Sequence, residues 1–245
     1  MNCRAAVSAF YAGFGAAALT LLFLATASAD PGLSAEEIAR ERAALLAIMA
    51  QNRAPAVDVA EQIVLPDAAA IGAGDAPVVI IEFGDYQCGF CRRHVMNVMP
   101  ALVREHVAPG YVRYVFMEYP AESNLPESLD ASNAALCAHD QGRYWEMRQR
   151  IYANPMSLDA VGYRHHATSL ELDVPAFARC LEQLPHAARI EQHVALGRQL
   201  GVRGTPTFFV AVAGAGDGDL RLVRRITGAQ PLDLFEQELR SRSPE

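Results

Sequence analysis

The run Val78-Val79-Ile80-Ile81-Glu82-Phe83, followed by Gly84-Asp85-Tyr86-Gln87-Cys88-Gly89-Phe90-Cys91, constrains this chain more than any other stretch. Apolar, mostly β-branched residues at 78–81 and 83 specify a short strand buried on both faces. Gly84 and Asp85 break it. Beyond them Val95, Val98, Met99, Leu102 and Val103 fall at i, i+3, i+4, i+7 and i+8, one apolar stripe along a helix. Two cysteines in Cys-x-x-Cys spacing therefore stand where strand gives way to helix. A helix N-terminus presents unpaired N–H groups and partial positive charge, and both stabilise a thiolate. Free cysteine titrates near about 8.5, and such a setting lowers that by units. Cys88 is thereby the expected nucleophile, with Cys91 placed to resolve a mixed disulfide.

The first residues belong to a different category. Met1–Arg4 carries one positive charge, Ala5–Ala25 is apolar apart from Ser8, Thr20 and small residues, and Ala27-Ser28-Ala29 offers a small-x-small cleavage site before Asp30. That is the anatomy of a secretory signal peptide, with an uncleaved membrane anchor as the alternative because the apolar stretch is long enough to span a bilayer. Both place the body of the protein outside the cytoplasm, in the periplasm or cell envelope. Removing residues 1–29 from the 245 leaves 216 with a net charge of −8, since Arg4 departs and 20 arginines face 28 acids. There is no lysine, and Arg92-Arg93 and Arg224-Arg225 are the densest basic clusters, which argues against nucleic acid or an anionic membrane as partner. Four cysteines remain after Cys3 is lost, and an even number in an oxidising compartment suggests two disulfides.

Taken in order, Ser34-Ala35-Glu36-Glu37 forms a capping box between the staple positions Leu33 and Ile38, opening a helix to about Gln51. Its narrow apolar face suits packing on its own domain or, alternatively, an oligomerisation arm. Residues 57–76 read as an irregular lead-in with one edge strand at Gln62–Leu65. After the first strand and the dithiol helix, which runs to about His106 with a kink at Pro100, Tyr111–Met117 alternates as a second strand. Strand, helix, strand implies a right-handed βαβ unit. Helices are expected over 128–140, 144–153, 158–171, 174–184 and 186–200, with no convincing strand from 118 to 200. Two antiparallel strands follow, around 204–212 and 220–226, and Pro231 opens a last helix. The expected division is a signal segment over 1–29, a helical arm and lead-in over 30–74, the first half of an α/β domain over 75–118, an all-helical insertion over 119–200 and the second half over 201–245.

The segments VVIIEFGDYQCGFC, AALCAHDQGRYWEMRQRIYANP, GVRGTPTFFV and RITGAQPLDLFEQEL, in this order across residues 75–242, resemble the DsbA-like thiol-disulfide oxidoreductases, exported members of the thioredoxin superfamily. The resemblance implies an α/β, thioredoxin-like fold (βαβ plus ββα) with an all-helical insertion between the halves. It implies that Cys88 is the exposed attacking sulfur and Cys91 its buried partner. Thr205-Pro206 would be a cis-proline loop that faces the dithiol and, with Gly89 and Phe90, contacts an extended substrate backbone. Glu82 would be a buried acid exchanging a proton beneath Cys91, against the alternative of a solvent-facing strand residue. Family members that oxidise strongly often carry histidine between the cysteines; Gly89-Phe90 stands there instead, which implies a milder oxidant. His94, one turn beyond Cys91, reads as a solvated helix residue.

Cys137 and Cys180 fall in two different expected helices. In an oxidising compartment, with no other partner for either, a structural disulfide is expected, the alternative being two buried small apolar side chains. No metal site is expected: a zinc site needs four ligands and only one close cysteine pair is present. Haem attachment would require histidine where Arg92 stands, and no phosphate loop, serine elbow or dinucleotide fingerprint occurs. The expected activity is therefore dithiol oxidation of extended, thiol-containing protein substrates, with a membrane redox partner restoring the disulfide and no dissociable cofactor. A disulfide isomerase or reductase kept reduced by a membrane donor, assembled as a homo-oligomer through the N-terminal helix, is the alternative. A chaperone or peptide-binding module with an incidental dithiol is a third.

Overall fold

A computed structural model describes Glu36, Arg40 and residues 57–214, 216 and 218–242. The signal segment and nearly all of the expected arm helix lie outside the described residues; Glu36 and Arg40 are helical and pair at 4.0 Å. Residues 54–245 form one compact unit. Among the described residues no helix is long and apolar enough to cross a membrane.

Six strands make one sheet: β1 (Val57–Val64), β2 (Ala69–Ile71), β3 (Val78–Gly84), β4 (Val112–Glu118), β5 (Thr207–Ala213) and β6 (Asp219–Thr227), in the order β1-β6-β5-β3-β4-β2. Only β3 and β4 run parallel. β3 is central, paired on both sides and covered on both faces, which is why its apolar run is unbroken and every residue is buried. The crossover between β3 and β4 consists of α1 (Gly89–Asn97), α2 (Met99–Leu102) and a π-helical turn at Val103–Val107. The apolar stripe expected for one kinked helix is thus kept, but the helix breaks at Val98, two residues before Pro100, which sits in the first turn of α2 and has no N–H to continue the ladder.

Val78, Ile80, Tyr114, Phe208 and Val210 face α1, α2 and α8 (Leu232–Arg240), packing on Val98, Leu102, Phe235 and Leu239. Val79, Ile81, Phe83, Val115 and Phe209 face the other way, onto Leu200 and Val202. The insertion between β4 and β5 is helical throughout: α3 (Glu127–His139), α4 (Tyr144–Ala153), α5 (Ala160–Ser169), α6 (Val174–Gln183) and α7 (Ala187–Gln199). Its core, with Ala134, Leu136, Met147, Ile151, Tyr163 and Phe177, also contains Cys91 and Val95 of α1, so the dithiol helix lies at the seam between insertion and sheet.

The segment 57–74 departs from expectation. In place of one short edge strand it supplies β1, eight residues long and paired with β6, and β2, paired with β4 at the opposite edge. The sheet therefore begins at 57, inside the stretch read as lead-in. An edge strand is half-solvated and here interrupted by a bulge between Asp58 and Glu61, so its apolar alternation is too weak to see in VDVAEQIV.

Candidate active site

The dithiol loop is held by its own first residues. β3 must end in glycine: a Cβ on Gly84 would stand 2.5 Å from the Phe116 ring. Asp85, fully buried, then receives four hydrogen bonds, from Gln87 N–H (2.8 Å) and Ser128 Oγ (2.6 Å) at one oxygen and from Ala121 N–H and Asn124 Nδ2 (both 2.9 Å) at the other. It ties the loop to the start of the insertion. Cys88 N–H donates to the Asp85 carbonyl at 3.1 Å, and Cys88 becomes the N-cap of α1, with its own carbonyl accepting from Arg92 at 3.0 Å.

Both cysteines are free thiols, Cys88 half-buried and Cys91 buried. The Cys88 Sγ lies 3.2 Å from the Thr205 carbonyl oxygen, to which its thiol donates, and the Thr205–Pro206 bond is cis. Its pKa is lowered to about 5, chiefly by a hydrogen bond from the Cys91 thiol, then by one from the Thr205 side chain and by the backbone N–H groups of Cys91 and Phe90, against the opposing effect of partial burial. Cys91 shifts the other way: burial pushes its thiol well up, and its bond to Cys88 adds to this. Gly89 and Phe90 stand exposed on the rim, Phe90 at 58%, with the Arg93 guanidinium 4.9 Å from its ring centre. Thr205 and Cys88, half-buried, and Gly89 and Phe90, exposed, share one surface, with Pro206 and Cys91 buried beside them.

Below that surface lies Glu82, wholly buried rather than solvent-facing. It shares the sheet face of Ile80 and Tyr114, and it pairs with Arg148 of α4 at 2.5 Å and with the Tyr114 hydroxyl at 2.7 Å. Burial raises its pKa, and Arg148 and then Tyr114 pull it back. His94 is not the solvated residue expected: it is fully buried, packs 4.5 Å from the Phe208 ring, and its Nε2 lies 3.1 Å from the Tyr114 oxygen. Because that hydroxyl donates to Glu82, His94 donates to it, as the neutral imidazole that burial enforces by lowering the pKa to about 3. It sits one turn beyond Cys91 on the stripe that faces the sheet, so the helical period buries it despite its polarity.

A thioredoxin family model matches residues 65–212, more than half of the chain. The chain belongs to the thioredoxin family. The chain is 34% identical over 139 residues to a Na(+)/H(+) antiporter, NhaA 3, of Salinispora tropica, a match covering 57% of this chain and 21% of the antiporter. The chain therefore spans about a fifth of the length of that relative, whose name describes a much longer protein. It is 25% identical to a probable disulfide bond formation protein D of Bacillus cereus, over 57% of this chain and 68% of that one. The crystal structure of alpha-DsbA1 from Wolbachia pipientis superposes with a TM-score of 0.62 at 20% identity, over 73% of this chain and 92% of that one, a likeness of fold. The fold is the DsbA-like form of the thioredoxin fold, with the helical insertion between its halves.

Arg148 is the residue of this thioredoxin-family site that escaped the sequence reading. It had a signal: Tyr144, Met147, Arg148, Ile151 and Tyr152 form the buried stripe of α4 at i, i+3, i+4, i+7 and i+8, and an arginine inside a stripe requires a buried anion. Glu118, at the end of β4, is a second buried acid. It accepts from the Tyr144 hydroxyl at 2.6 Å, and burial raises its pKa to about 7. Cys137 of α3 and Cys180 of α6 are joined by a disulfide with their Cα atoms 5.9 Å apart. His186 lies close enough to both sulfurs to complete a three-ligand metal group, but sulfurs bonded to each other offer no thiolate to a metal.

Proposed function

We propose that this chain is an exported thiol-disulfide oxidoreductase that introduces disulfides into protein substrates through Cys88 and Cys91. The observation carrying this function is the placement of two free thiols of one turn: Cys88, half-buried, with its sulfur 3.2 Å from the carbonyl of the cis Thr205–Pro206 loop, and Cys91, buried behind it; the lowered pKa of the first and the raised pKa of the second agree with a division of labour between them. In the oxidised protein a substrate thiolate attacks the Cys88 sulfur, the Cys88–Cys91 bond breaks, and Cys91 leaves as a thiolate that takes up a proton. A second substrate thiolate attacks the substrate sulfur of the mixed disulfide, and Cys88 leaves as a thiolate. The substrate is oxidised by two electrons and the dithiol reduced by two. A membrane-bound oxidase then restores the disulfide. Thr205 and Pro206 would pair with the substrate backbone, with Gly89 and Phe90 forming the opposite rim.

The reverse flow, as an isomerase or reductase held reduced by a membrane donor, is favoured by one observation: the residues between the cysteines carry no charge to stabilise the Cys88 thiolate further. The resting state in the native compartment decides between them, mostly oxidised for an oxidase and mostly reduced for the alternative. Cys91→Ala is expected to trap mixed disulfides with substrates and with the recycling partner, and Cys88→Ala to trap none. Retention of biological activity by Cys88→Ala would leave only a binding module.

A further inference from the structure

Pairing between a substrate backbone and the Thr205–Pro206 loop is blind to sequence, since nearly every residue offers the same N–H and C=O. The side chains around that loop are not. Arg203, exposed, lies two residues before Thr205, whose carbonyl meets the Cys88 sulfur at 3.2 Å. It lines two clefts beside the loop. One, of about 250 Å³, is walled by Tyr119, Glu122, Val194 and Arg198 and ends at Thr205. The other, of about 510 Å³, has Arg225 of β6 on its wall. Arg225 Nη1 lies 3.8 Å from where a Cβ on Gly201 would stand, so its guanidinium rests against the start of the loop. Among the described residues the one acid lining either cleft is Glu122, and Arg198 already holds it at 2.9 Å.

The start of α1 adds Arg92 and Arg93, both exposed. Backbone oxygens hold them: Arg92 Nε donates to the Tyr152 carbonyl at 2.8 Å, and Arg93 Nη2 to that of Ala229 at 3.4 Å. Among the described residues none of Arg92, Arg93, Arg203 and Arg225 is paired with a carboxylate. The whole chain has a net charge of −7, so four uncompensated cations around one thiol run against its overall balance. Such a local field attracts the opposite charge.

We propose that this arginine rim selects acidic segments: substrates with Asp or Glu a few residues from the reacting cysteine are oxidised faster than neutral or basic ones, and Arg203 is the principal specificity residue. This selectivity rests on the oxidoreductase function proposed above and names its substrate class. An extended chain advances about 3.3 Å per residue, so side chains about one to three places from a cysteine joined to Cys88 come level with the stretch from Thr205 to Arg203. There a guanidinium offers a carboxylate its planar fork of N–H groups.

Oxidised protein is mixed with dithiol peptides identical except for the residues flanking the first cysteine, which are Asp, Ser or Lys. The first peptide thiolate attacks Cys88; a peptide–Cys88 bond forms, the Cys88–Cys91 bond breaks, and Cys91 leaves as a thiolate that takes a proton from water. The second peptide thiolate attacks the peptide sulfur of the mixed disulfide, and Cys88 leaves as a thiolate, so the peptide loses the two electrons that the protein gains. Flanking charge also alters the peptide thiol itself, so each rate is divided by that of the same peptide with uncharged hydroxyethyl disulfide. At low salt the Asp peptide is expected to outpace the Ser peptide about two- to fivefold for each arginine engaged, the Lys peptide to lag behind it, and both differences to shrink as salt is added. Arg203→Gln should bring the Asp/Ser ratio toward one, and Arg203→Lys should keep most of it. Arg179→Gln removes an exposed arginine of α6 that lines neither cleft, and should leave the ratio unchanged. Oxidation of all three peptides at one normalised rate, a ratio insensitive to salt, or an equal fall in Arg179→Gln overturns the inference alone. Failure of every peptide to be oxidised overturns the oxidoreductase function, and the selectivity with it.

Discussion

A thiol that titrates near 5 is ionised across the neutral range, and this favours the reduced protein over the disulfide form, which has no such group. The sign follows from comparing states. Cys88 titrates near about 8.5 when unfolded and near 5 when folded, so its contribution to the reduced protein is complete above the first value and is lost as pH falls toward the second. Urea unfolding of both forms is expected to show their stability gap change in favour of the oxidised form as pH falls between those limits, and reduced Cys88→Ala to lack the pH dependence that the reduced unsubstituted protein shows. Phe90, exposed between the cysteines, allows the site to be tuned: Phe90→His should lower the Cys88 midpoint and shift the glutathione redox equilibrium toward a stronger oxidant. At this scale Cys88 and Cys91 were legible because spacing, strand end and helix start lie within a few residues of each other. Arg148 and His94 were not, because a polar residue on an apolar stripe declares its burial only when its partner on another element is known.

Helices α3 to α7 fall within a few residues of their expected spans, since their boundaries are written locally in prolines and in the Asp159 and Asp173 caps, each accepting from a backbone N–H of the first turn. The edge strands β1 and β2 were the harder elements, being short and solvated along one side. The bond between Cys137 and Cys180 staples α3 to α6 across a separation of 43 residues, which in the chain-entropy treatment stabilises by about 4 kcal/mol. Replacing both by serine should lower the denaturant midpoint accordingly while leaving the Cys88 titration in place. With only the active-site pair reduced, two thiols should be counted. Gly197 shows how closely α7 approaches the sheet: an added Cβ would clash with the Tyr119 ring and lie 3.1 Å from Phe83. Gly197→Ala is expected to cost about 1–3 kcal/mol in unfolding free energy.

Across the whole molecule, insertion and sheet meet at buried acids as well as at apolar side chains. Glu118 lies at this junction with Tyr144 of α4, and its folded pKa of about 7 stands above its unfolded value of 4.5. A group raised in this way contributes fully below the unfolded value and loses its contribution as pH rises through the folded one. Stability is therefore expected to fall between pH 4.5 and 7 by roughly 3 kcal/mol from this group, and Glu118→Gln to flatten that fall. The overall architecture was legible because alternating strand and helix patterns permit few connections; of residues 57–71 only the second half of β1 was, as the edge strand expected at Gln62–Leu65.

The contribution of residues 57–71 has a practical side. A single short ribbon of chain zips β1 onto β6 and β2 onto β4, finishing the sheet at both of its margins. A truncated protein starting at 75 would retain every atom of the exchange chemistry yet leave two long rows of amides and carbonyls bare. It should turn over thiols when dilute and cloud when concentrated, which light scattering would register; the stretch that looks most dispensable on paper is what keeps neighbouring copies from knitting together.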